Sequence, residues 1–151
     1  METTSEKNLA AFTHLSTLSQ YCIPFGNYIF PILIWSSKKD ESEFIDYHGK
    51  QVLNFQLSIL LYTLILAIIA VPIFIVTIFS TIPLNVIIND HDFMAHHFSV
   101  GNRSGIIIVA IIALIMFIGL KVAEFFLIIF ASLKAANGEK YKYPLTIPFI
   151  K

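Results

Sequence analysis

A chain of 151 residues in which 56% of positions are hydrophobic and only 13% charged has too little polar surface for a soluble domain of that size, so lipid must be part of its solvent. Ten basic residues balance ten acidic ones, which argues against a nucleic-acid partner, because phosphate neutralisation needs a clustered basic face. The expected fold class is all-α, an integral membrane helical bundle of about three transmembrane helices forming a single domain over residues 1–151.

The N-terminal stretch sets Glu2 and Glu6 against Lys7 and lacks the positive region of a cleaved signal peptide, so the first apolar segment is expected to stay attached. That segment runs from about Leu9 to Trp35 and is broken at Pro24-Phe25-Gly26-Asn27, where proline removes a backbone donor and glycine tolerates unusual dihedrals. Each half holds about a dozen residues, too short to cross at ~1.5 Å per residue. A kinked crossing over 9–35 is expected in preference to a re-entrant element. Cys22, the sole cysteine, excludes an intramolecular disulfide and is expected to act as a small buried hydrophobe.

Residues 36–51 form the densest polar stretch, from Lys38-Lys39-Asp40-Glu41 to His48-Gly49-Lys50. Ser42 is placed to cap a helix whose first turn carries Glu43 and Asp46 near the positive dipole end. Phe44, Tyr47 and Lys50 are expected at the headgroup layer, where aromatic rings and snorkelling lysines are favoured. Asp46 beside His48 is a candidate proton-handling pair, but no serine or cysteine nucleophile stands in a motif with it, so no enzyme is expected.

Gln51 to Asn89 is 39 residues without a charge, longer than the roughly 20 needed for the ~30 Å hydrocarbon core and too short for two spans. One span over about 52–80 is expected, its excess taken up by tilt. Asn54 and Gln56 lie just inside, where amides normally face another helix or water. Residues 81–104 form the opposite loop, in which His91, His96 and His97 stand near Asp90 and Asp92 without defined metal-ligand spacing, so no metal or other cofactor is assigned. The third span, about 105–133, contains Lys121 and Glu124, three apart and able to pair on a helix; ionisable groups at that depth are functional candidates.

Lysines retained on the cytoplasmic side set orientation. Lys38, Lys39 and Lys50 in the loop 36–51, with Lys134, Lys140, Lys142 and Lys151 in the tail 134–151, face a single Arg103 opposite. With three crossings the tail is cytoplasmic and the N-terminus outside; with a re-entrant first segment the N-terminus moves inside. The setting expected is the bacterial inner membrane.

Four runs carry a family resemblance: Pro24-Phe25-Gly26-Asn27, Ile34-Trp35 through Ser42, Asp46 through Lys50 with Leu53-Asn54-Phe55-Gln56, and the ending Lys134-Ala135-Ala136-Asn137-Gly138-Glu139 with Tyr141 through Leu145. Together they resemble the Tic-twenty-like bacterial membrane proteins, a group of unknown function distantly similar to a protein-import component of the chloroplast inner envelope. The chain departs from that pattern at Pro148, where a basic residue is expected. The resemblance implies a translocation-related or channel-associated subunit.

The function expected is a non-enzymatic membrane-complex subunit or adaptor, with the lipid bilayer, a membrane-protein partner or further copies of itself as partners. The alternative is a small oligomeric channel or carrier using polar residues within its spans. Candidate functional residues are Asp46, His48, Lys50, Asn54, Gln56, Lys121 and Glu124.

Overall fold

The computed structural model describes residues 2–81 and 104–151, apart from the side chains of 76–81 and 104–107. The loop histidines His91, His96 and His97, with Arg103, lie outside the described residues. Among the described residues four α-helices follow one another: α1 Thr4–Ser16, α2 Gly26–Lys38, α3 Glu43–Thr81 and α4 Ser104–Ala136, with a 3-10 turn at Thr17–Tyr21 between the first two. The all-helical expectation holds.

The number of spans does not. Among the described residues two helices are long and apolar enough to cross a membrane, Glu43–Ile75 and Ile108–Ala136, with mean hydropathies of 2.7 and 2.5. The first segment is instead two helices of 13 residues, each only about 20 Å long at ~1.5 Å per residue.

Local chemistry explains the break. Thr3 opens α1 with a capping box: its hydroxyl accepts from the Glu6 N–H at 3.2 Å while the Glu6 carboxylate accepts from the Thr3 N–H at 2.7 Å. At the far end, hydroxyls compete with the helix for its carbonyls. Ser16 donates to Thr13 O, Thr17 to His14 O and Ser19 to Ser16 O, all at 2.6–2.7 Å, and the chain tightens into the 3-10 turn. Phe25, held left-handed at φ 61°, then reverses the chain into α2. Gly26 allows the close return, since a Cβ there would fall 2.5 Å from Ser19 Oγ. Cys22 sits on this reversal and is exposed, contrary to expectation, because none of the described residues packs outside the bend.

α3 begins at Glu43, with the Asp46 N–H donating to Ser42 O at 3.0 Å. α4 ends in a Schellman motif, with Glu139 N–H to Lys134 O at 3.0 Å, Gly138 N–H to Ala135 O at 2.9 Å, and Gly138 at φ 81°.

The described residues divide into two compact units. The first comprises residues 1–61 and 120–151 and holds both hydrophobic clusters. Ala10, Ala11, Phe44 and Ala135 form one, and Phe55, Ile59, Ile128, Ala131 and Tyr143 the other. Phe44 was expected at the headgroup layer; it is 2% exposed because small alanines on α1 and α4 let the helices close over its ring. The second unit, residues 62–119, brings α3 and α4 together around an apolar cavity of about 460 Å³ lined by residues such as Ala67, Ala70, Ala110 and Ala113.

Candidate functional site

Seven buried polar side chains of the first unit, His14, Asn27, His48, Asn54, Gln56, Ser58 and Glu124, are bonded to partners distant in sequence, while Thr13, Ser16 and Thr17 bond to carbonyls of α1, as desolvation requires. Three layers result, arranged along α3.

At the base of the α1/α2 hairpin, Asp46 joins two elements. It accepts from Trp35 Nε1 at 2.8 Å and pairs with Lys50 Nζ at 2.7 Å, one helical turn on. Trp35 lies against Gly49, where any Cβ would collide with the indole side chain. Lys39 lies over the same ring, 5.3 Å from its centroid. Trp35, Lys39, Asp40, Asp46, Lys50 and Lys151 are among the residues bounding a polar cavity of about 370 Å³. On the outer edge, the Ser42 hydroxyl and then Thr3 stabilise the exposed Glu6 carboxylate, lowering its pKa to about 2.

The second layer is a chain of three buried groups. His14 Nδ1 meets the Tyr143 hydroxyl at 2.8 Å, and His14 Nε2 meets His48 Nδ1 at 2.8 Å. Burial, and secondarily His48, holds His14 well below the usual histidine range. Burial likewise pushes the Tyr143 phenol well above 10, with Tyr141 and Glu124 adding to it. Tyr143 also stacks on Phe55 at 4.0 Å and 5°.

The third layer holds amides and the ionic pair. Asn27 Nδ2 donates to Gln56 Oε1 at 2.7 Å, and the Tyr28 hydroxyl donates to Gln56 O at 3.2 Å. Glu124, fully buried, accepts from Lys121 Nζ at 2.8 Å and from Gln20 Nε2 at 3.1 Å. Gln56 Nε2 is buried without a hydrogen-bond partner among the described residues.

The tail binds back on α3. Asn54 works as a two-point clamp: its Nδ2 donates to Ile150 O at 2.9 Å and its Oδ1 accepts from Ile150 N at 2.8 Å. Ser58 accepts from Ile147 N at 2.9 Å, and Lys140 pairs with Glu43 at 2.8 Å.

Of the seven candidate residues, Asp46 and Lys50 meet each other, as do Lys121 and Glu124. Asp46 and His48 do not form the pair their proximity in sequence suggested. Asp46 turns to Trp35 and Lys50, and His48 turns to His14, because they lie two apart on a helix and point in different directions. Asn54 and Gln56 likewise serve different elements, the tail and α2. His14 is not among the candidate residues, and Tyr143 figures only in the run Tyr141 through Leu145; a histidine inside an apolar run is the one sequence signal for the former.

The arrangement holds polar groups in mutual contact, and among the described residues there is no group of three or more His, Cys, Asp or Glu able to hold a metal.

Comparison with known proteins corrects the family. The model that matches spans residues 5–150 and describes the magnetosome magnetite crystal formation proteins, not the Tic-twenty-like group, and the expected translocation role falls with that resemblance. No curated protein and no solved structure matches the chain. With all but the outermost few residues matched, the chain is a membrane protein belonging to the MamF/MmsF family of magnetosome magnetite crystal formation proteins.

Proposed function

We propose that this chain contributes to magnetite crystal formation as a non-enzymatic component of the membrane around the crystal, working as a subunit or adaptor. The observation that carries this is the family match over residues 5–150, which takes in both span-forming helices and the polar first unit together. α3 and α4 anchor the chain. The first unit, tied by the tail clamp and the His14, His48 and Tyr143 chain, presents Lys38, Lys39, Lys134, Lys140 and Lys142 at one end to a partner. The lysine distribution favours the cytoplasmic side for that end.

The channel alternative draws less support. Asn54, Gln56, Lys121 and Glu124, the residues that would line a path, are each engaged in hydrogen bonds within the chain.

Deletion of the gene in a magnetite-forming host that carries it, followed by electron microscopy of crystal size and number, tests the role. Altered crystals restored by the intact chain are expected. Unchanged size and number distributions would sink the proposal.

A further inference from the structure

The α1/α2 hairpin has an inverted surface. His14, Gln20, Asn27 and Trp35 Nε1 turn inward to α3, α4 and the tail while Phe12, Ile29, Ile32 and Leu33 are exposed, and the exposed polar residues Ser5, Asn8, Ser36 and Ser37 sit toward the open ends. Its bend turns apolar side chains outward too, with Tyr21 61%, Ile23 46% and Phe25 71% exposed. Water does not favour such a face; hydrocarbon does.

The register against α3 fixes the direction of the hairpin. Trp35 meets Asp46, and Asn27 meets Gln56, so α2 runs antiparallel to α3 and the bend lies on the Gln56 side. α1 runs the other way, with Glu6 at Ser42 and His14 at His48. Both open ends of the hairpin therefore lie near the start of α3. Those ends carry Glu6 and Lys7 on one arm and Trp35, Lys38 and Lys39 on the other, the aromatic and cationic mixture that suits a headgroup layer.

Ten residues separate Trp35 from Phe25. At ~1.5 Å per residue that is about 15 Å, half of a ~30 Å hydrocarbon core.

We propose that the α1/α2 hairpin is a half-depth wedge, inserted among the acyl chains of one leaflet with its bend at the bilayer midplane. It enlarges that leaflet alone, so the chain favours membrane that is convex on the side bearing the hairpin's open ends. This rests on membrane residence and not on any role in crystal formation, which none of the measurements below reads.

Cys22, the sole thiol, sits on the bend and is exposed. In the full chain reconstituted into phosphatidylethanolamine/phosphatidylglycerol vesicles, a fluorophore on Cys22 is expected to be quenched most by lipids spin-labelled near the acyl terminus. Quenching strongest from headgroup labels would overturn insertion, and weak quenching from every depth would mean that a second copy or another protein covers the bend instead. A kinked crossing also puts Cys22 at the midplane, so Ser5→Cys and Ser37→Cys, each in a Cys22→Ser background, separate the two. Both are expected to react with an impermeant maleimide from the same side of sealed vesicles; labelling from opposite sides excludes the hairpin. On a mixed vesicle population, protein density is expected to rise by roughly twofold from large to small vesicles. A density independent of vesicle size would overturn the curvature preference.

Discussion

His14 and His48 meet nitrogen to nitrogen at 2.8 Å, an approach that requires one proton between the two rings and has no room for two. The Tyr143 hydroxyl fixes the other side of His14, so the three groups hold a shared tautomeric arrangement across α1, α3 and the tail.

Acid should therefore loosen the first unit. His14 has a folded-state pKa well below the ordinary 6.5, so the unfolded chain binds more protons in the window beneath that value. The stability His14 supports is complete above pH 6.5 and is lost progressively as pH falls. Tm in detergent micelles is expected to drop by several degrees between neutral pH and about pH 5, and His14→Phe should lower Tm at neutral pH while flattening that dependence. At the alkaline end the sign reverses: the Tyr143 pKa is raised, so its contribution is present below pH 10 and lost above it. An unchanged acid slope in His14→Phe would assign the effect to other groups.

Gly49 should be intolerant of any side chain. A Cβ there strikes the Trp35 ring, which would have to move and release Asp46. Gly49→Ala is expected to cost about 1–3 kcal/mol through overpacking. Trp35 is the single tryptophan, so its fluorescence reports the displacement directly as a red shift. Wild-type emission in the variant would show that the ring is not seated as described.

Of the pairs close in sequence, Asp46 with His48 was not borne out, while one was legible before the structure. Lys121 with Glu124 follows from helical spacing, and the over-long uncharged run from Gln51 gives α3 its membrane character. The fate of the first segment was not, because the same dozen-residue halves suit a kinked crossing and a hairpin. What ends α1 is hydroxyl back-bonding at Ser16, Thr17 and Ser19, a competition that composition does not decide. His14 was invisible for another reason. Its partners His48 and Tyr143 lie 34 and 129 residues away, and no spacing rule reaches so far.

The tail should detach when its clamp is cut. Asn54 satisfies both backbone groups of Ile150, and Asn54→Ala leaves them without that partner, at about 1–3 kcal/mol. Trypsin cleavage after Lys142 is expected to accelerate in the variant under native conditions, with cleavage of the helices unchanged. Asn54→Asp, which keeps the acceptor for Ile150 N–H and loses the donor, should fall between the two. Equal cleavage rates in all three proteins would mean that Tyr143 and Ser58 hold the tail without Asn54.

Glu124 and Lys121 should prove strongly coupled and unequal. The carboxylate is fully buried and takes hydrogen bonds from Lys121 and Gln20, whereas Lys121 is one-third exposed and reaches outward along its alkyl stem. Glu124→Ala strands a cation within a span and leaves the Gln20 amide unmatched, for an expected loss of about 3–5 kcal/mol. The double replacement Lys121→Met with Glu124→Gln keeps an acceptor for Gln20 and removes both charges, so most of that loss should return. A double-mutant cycle on these two positions, read by guanidinium unfolding in micelles, is expected to give a coupling of about 1–3 kcal/mol. A coupling near zero would mean that the ion pair adds nothing beyond the separate contacts of its two members.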